Sequence, residues 1–210
     1  MRILVEAFKR GVGQMLAQSG WVEASFGDEE YIVFEMRKCG GLSFLVGFDL
    51  SVREYGLSLN PSVGIRHDQI SPLIGELYGL SDGGWLVGAT LADLFDAEGR
   101  EGGLLPRWVV LPGDRIDMVV DLVKSDLDAH AVPYLEAYED IRDVAREIRT
   151  KKASTHFDLG RLAVIDAECG DLRSASEDVR KLESLIRKEP PFVVEQIETF
   201  INNFRMRYGC

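Results

Sequence analysis

A chain of 210 residues with 46% hydrophobic and 28% charged side chains can build a full core, which excludes wholesale disorder. Its net charge of −11 excludes the usual nucleic-acid binder, because gripping a polyanion takes a basic surface that displaces counterions. No apolar run reaches the roughly 20 residues of a membrane span, and Glu6 arrives too early for a signal-peptide core, so no membrane association and a cytoplasmic location are expected.

Ile3, Leu4, Phe8, Val12, Met15 and Leu16 recur at helical spacing among Glu6, Lys9, Arg10 and Gln14, predicting an amphipathic helix over 1–18 that stops at Gly20. Four β-type runs follow, at 21–26, 31–37, 42–50 and 55–65. In the first, Val22, Ala24 and Phe26 alternate with Glu23 and Ser25; in the third, Phe44, Val46, Phe48 and Leu50 share a face. Short connections at 27–30, Gly40-Gly41 and 51–54 predict an antiparallel meander made of hairpins. Asn60-Pro61 interrupts the fourth run and marks an edge or a bulge, since proline cannot donate to a ladder.

His67-Asp68 opens a short helix that buries Ile70, Leu73, Ile74 and Leu77. Trp85-Leu86-Val87 and residues 108–111 read as two further short strands, with a helical turn at 91–95 and a mobile loop at 98–103 between them. Beyond residue 112 the hydrophobic period changes from two to 3.6. The fold class is therefore α+β: an N-terminal helix, an antiparallel β-meander of four to six strands, then a helical C-terminal half.

Asp114 is placed to cap the first late helix, with Asp117 completing a capping box. Ile116, Val119, Val120, Val123 and Leu127 form one face of it; Asp117, Asp121, Lys124 and Asp128 form another. Pro133 permits a kink or a fresh start. The polar stretch 149–154 reads as a linker, separating an α+β domain over 1–150 from a helical extension over 151–210. The pair of helices around Gly170-Asp171 resembles one hairpin of a tetratricopeptide-type repeat. Such repeats need about three stacked units, so an ordinary αα-hairpin is expected, followed by a terminal helix.

Acid is concentrated in the middle third: residues 68–101 hold seven acids against one base, and 112–143 hold nine against three. Such a surface steers a basic protein partner; it also serves solubility. Acids four apart on a helix repel by a few tenths of a kcal/mol, a mild cost for a solvated face, which is the first account of Asp117, Asp121 and Asp128. A face for a basic protein patch is the second, and a divalent cation could also sit there. Asp117, Asp121, Asp128, Glu136 and Asp140 are the candidate partner-binding residues.

Motifs for chemistry are sparse. Gly11-Val12-Gly13 falls inside a helix, and the chain has no phosphate-binding loop, no Gly-x-Ser-x-Gly elbow and no His-Glu-x-x-His helix. His67 beside Asp68, just past a strand end, is an alternative site where an acid/base pair or metal ligand can sit. The same pair suits a helix start with Asp68 as cap. His130 and His156 lack a companion three or four residues on. Cys39, Cys169 and Cys210 form no CxxC and give neither a disulfide framework nor a zinc site. Trp85, Trp108, Tyr134 and Tyr138 suit a binding groove or core packing equally. No catalytic residue, metal or cofactor is implied.

The order helix, four-stranded meander and Leu57-Ser58-Leu59-Asn60-Pro61-Ser62-Val63-Gly64-Ile65-Arg66-His67, with Trp108 ahead of a long helix reaching Ala131-Val132-Pro133-Tyr134-Leu135, resembles a known group. These are small bacterial domains of unknown function, some found among immunity proteins of polymorphic toxin systems. The resemblance covers about residues 1–150 and implies a cytoplasmic, antitoxin-like or accessory binding role. The expectation is a non-catalytic protein-binding domain with an acidic surface for a basic partner. A small-molecule or metal-dependent enzyme at His67 and Asp68, or a scaffold protein, are the alternatives.

Overall fold

The structure, a computed structural model, describes residues 2–24, 31–97, 108–151, 153 and 155–209. The end of the first β-type run, the turn at 27–30, the loop at 98–103, Lys152 and Ser154 of the expected linker, and Cys210 lie outside the described residues.

Helix α1 (Arg2–Gln18) leads into an antiparallel sheet with β1 (Val22–Glu23), β2 (Tyr31–Arg37), β3 (Leu42–Arg53) and β4 (Gly56–His67) in sequence order. After α2 (Ile70–Tyr78), β5 (Val87–Thr90) joins β4, and after α3 (Leu91–Ala97), β6 (Val109–Val110) also pairs with β4. Helices α4 (Ile116–Asp126), α5 (Val132–Glu136), α6 (Ile141–Thr150), α7 (His156–Glu168), α8 (Leu172–Leu185) and α9 (Pro191–Tyr208) complete the chain. This is the α+β arrangement that the change of period implies.

Three local expectations change. Pro61 sits in a strand with neighbours on both sides, so it marks neither sheet edge. Leu59 N–H donates to Trp108 O, and by the two-residue period Pro61 turns the same way. Its missing donor thus falls on the side of β4 that carries β6 at Leu57 and Ser58. The alternation read in the third run is also incomplete: Ser43, Leu45 and Gly47 are buried along with Phe44, Val46 and Phe48, so β3 is covered on both faces. Finally, Asp114 does not cap α4. Arg115 is the residue at its start, without a side-chain cap, and Asp114 Oδ2 instead accepts from Leu111 N–H at 2.7 Å.

The chain parts into two compact units: Met1–Lys38, Ser43–Ile65 and Gly88–Ala137 in one; Cys39–Leu42, Arg66–Val87 and Tyr138–Cys210 in the other. These lines differ from the 1–150 and 151–210 split. Residues 149 and 150 belong to the last turn of α6, and Arg149 pairs with Asp166 on α7, so the polar stretch begins as helix rather than spacer.

In the first unit, α1 buries Phe8, Val12, Met15 and Leu16, while Ile3 is 86% exposed. Phe8 meets Phe48 edge-on at 5.8 Å, which seats α1 on the sheet. A side chain at Gly11 would come within 3.0 Å of Val120, so that glycine lets α1 and α4 approach closely. In the second unit, α7 and α8 form the expected αα-hairpin. Gly170 takes a φ of 85°, a left-handed conformation that favours glycine, and Asp171 accepts from Ser174 N–H to cap α8.

Candidate functional site

The site is assembled by the two periodicities. Met36 lies directly opposite Phe44 in the β2–β3 register and Phe34 opposite Val46, so alternation puts Met36, Lys38, Phe44 and Val46 on one face. On the helix side, Lys124, Leu127, Asp128, Ala131, Val132, Leu135 and Glu136 are spaced three and four residues apart and share one stripe. Met15 and Leu16 from the end of α1, with Ser19 and Trp21 just beyond it, close the ring. Together these residues line a cavity of about 170 Å³, the whole of it within the first unit.

Its floor is apolar: Met15, Leu16, Trp21, Phe44, Val46, Leu127, Ala131 and Leu135 are all buried. Charge is confined to the rim. Lys38 holds its ammonium 4.8 Å from the centre of the Phe44 ring, Lys124 pairs with Asp128, and Glu136 is exposed.

The wall is shaped by an irregular turn. Between α4 and α5 the chain winds as a π-helix over Leu127–Ala131, with Val132 N–H bonding to Leu127 O five residues back. Pro133 follows at the start of α5. Its ring would collide with the carbonyl four residues earlier in a regular helix, and the wider π turn carries the helix through without a break. Pro133 therefore marks a change of hydrogen-bond register within one continuous rod.

Along α4 and into the π turn, Asp117, Met118, Asp121, Leu122, Ser125 and Asp128 form an exposed stripe that runs toward the cavity. Met118 is 62% and Leu122 36% exposed, so the acidic face carries apolar surface as well. The Arg115 side chain donates to Asp117 and holds that carboxyl below its ordinary value. Asp126, on the inner side of the same helix, is buried and accepts from Trp108 Nε1 at 2.8 Å.

Of the residues singled out in the sequence, Asp128 and Glu136 meet at the cavity rim, and Asp117 and Asp121 extend along the helix from it. Asp140 belongs to the second unit. There its carboxylate accepts from Arg142 N–H and Asp143 N–H in a capping box at the start of α6.

His67 Nδ1 accepts from Gln69 N–H at 3.2 Å and Ile70 N–H at 3.3 Å, so the imidazole caps the start of α2 from two residues before Gln69, the N-cap position, whose own side chain makes no capping bond. Asp68 is exposed, and its N–H donates to Gly41 O. The expected Asp68 cap is thus replaced by His67, whose ring reaches the first free N–H groups of the helix. Among the described residues, no group of three or more His, Cys, Asp or Glu side chains could hold a metal ion. Trp85, Trp108, Tyr134 and Tyr138 are half-buried or buried and none lines the cavity; its aromatic walls are Trp21 and Phe44. Strand alternation signalled Phe44, with Ala131 as the small residue in the facing helix stripe; at the first run it pointed to Val22 instead of Trp21, whereas Val22 is 68% exposed and Trp21 is buried.

No protein-family model, curated protein or solved structure matches this chain. Among the described residues, no helix is long and apolar enough to cross a membrane.

Proposed function

We propose that this chain is a non-catalytic protein-binding domain, immunity- or antitoxin-like, that receives a basic protein partner on the acidic face of α4. The observation that carries this reading is the exposed stripe in which Asp117, Asp121 and Asp128 alternate with Met118 and Leu122. Acids steer a basic partner toward the surface, and exposed methionine and leucine give it apolar area to cover. Arg115 and Lys124 pair with Asp117 and Asp128. Such exposed pairs are worth little in water and exchange readily for the bases of a partner.

The test is capture from the native cell extract on the immobilised chain, identified by mass spectrometry. The variant Asp117→Asn/Asp121→Asn/Asp128→Asn is run in parallel. The expected result is a basic protein held at low salt, weakened steeply at physiological salt and lost on the variant. Equal capture by the variant, or capture indifferent to salt, overturns the reading.

A further inference from the structure

We infer that the cavity at the π turn is the anchor pocket of this surface, taking one ring-sized apolar side chain from a basic segment of the partner. This rests on the reading of α4 as a partner-binding face and adds to it a place, a residue class and a direction.

Size comes first. An apolar cavity of about 150 Å³ holds benzene, whereas pockets for drug-sized ligands run from about 300 Å³ upward. At about 170 Å³ the cavity matches a single aromatic or leucine side chain. Its buried floor of Met15, Leu16, Trp21, Phe44, Val46, Ala131 and Leu135 offers contact without polar groups that need a partner. Interfaces concentrate their energy in such anchors, placed in dry pockets and ringed by polar contacts.

Charge fixes the direction. On the strand side of the rim stands Lys38, which repels a basic chain. On the helix side stand Asp128, whose pair with Lys124 a partner's base can replace, and Glu136, and from Asp128 the exposed acids continue through Asp121 to Asp117. A segment with its anchor in the cavity therefore lays its lysines or arginines along α4, away from Lys38.

The probes are three synthetic peptide amides: acetyl-Trp-Lys-Lys-Lys, acetyl-Ala-Lys-Lys-Lys and acetyl-Trp-Glu-Glu-Glu. The readout is the backbone amide shifts of the ¹⁵N-labelled full chain at low salt. The first peptide is expected to move the amides of Ala131, Val132 and Leu135 together with those of Asp117 and Asp121, and to bind at least about fivefold more tightly than either control. Filling the cavity with Ala131→Met should erase that advantage. Because this buried substitution can disturb folding, Glu136→Lys and Lys38→Glu on the exposed rim provide a second comparison, expected to weaken and to strengthen binding of the first peptide. If the tryptophan and alanine peptides both move only Asp117 and Asp121, the anchor is overturned while the acidic surface stands. If the acidic peptide binds the pocket as well as the basic one, the basic segment is overturned. If none of the three binds, both the anchor and the surface fall.

Discussion

The indole Nε1–H of Trp108 donates to Asp126 Oδ2 at 2.8 Å, with the two residues only 4% and 3% exposed. Trp108 directly precedes β6, and its carbonyl accepts from Leu59 N–H in β4; Asp126 is the last residue of α4 before the π turn. This bond therefore fixes the helix to the sheet next to the turn that forms the cavity wall. A carboxylate out of water is tolerated only when hydrogen-bonded. Asp126→Ala strands the indole donor and should lower unfolding free energy by about 2–4 kcal/mol. Asp126→Asn keeps an acceptor and should lose less. Urea denaturation at neutral pH checks the order. An alanine variant as stable as the parent would show that the bond does not hold the helix in place.

His67 gives a second ordering of variants. Its Nδ1 meets the N–H groups of Gln69 and Ile70 at the first turn of α2, whereas Asp68 is exposed. Losing a cap of this kind costs about 1 kcal/mol, so His67→Ala should destabilise by about that amount and speed amide exchange at Gln69 and Ile70. Asp68→Ala should stay within about 0.5 kcal/mol of the parent. The reverse order would restore Asp68 as the cap.

These two residues mark where the sequence was readable and where it was not. The meander and the late helices follow from hydrophobic period alone, and Gly170-Asp171 announces its own turn and cap. Asp126 looked like one more acid on a charged helix. Its burial depends on Trp108, eighteen residues earlier, which no local pattern connects to it. The π turn is similarly hidden, because hydrogen-bond register leaves no trace in the apolar stripe; Pro133 is its only mark. The cavity needs residues near 15–21, 36–46 and 124–136 to converge, so its lining was visible only in fragments. The acids along α4 were legible, since they are exposed at helical spacing. Asp140 was legible as an acid but not as a cap, although its spacing to Asp143 is the same Asp-x-x-Asp pattern read as a box at Asp114 and Asp117, where no cap forms.

Acidification offers a prediction in the second unit. The Tyr78 hydroxyl donates to the His156 carbonyl at 2.7 Å, and the imidazole lies 4.1 Å from the Phe157 ring and 6.1 Å from that of Tyr78. Burial pushes the His156 imidazole below its ordinary value, opposed by the neighbouring Glu189, Gln196 and Asp158. An unfolded chain protonates this group near about pH 6.5, and the folded protein resists until the pH is lower. Between the two values the unfolded state binds more protons, so stability rises with pH there. The contribution is thus fully present above the unfolded value and is lost as pH falls through the folded one. His156→Gln removes this titration and leaves the carboxylates in place. Urea midpoints measured from neutral to mildly acidic pH should therefore fall more steeply for the parent than for the variant. Parallel curves, or a steeper fall in the variant, would mean that folding leaves the proton affinity of His156 unchanged or raises it.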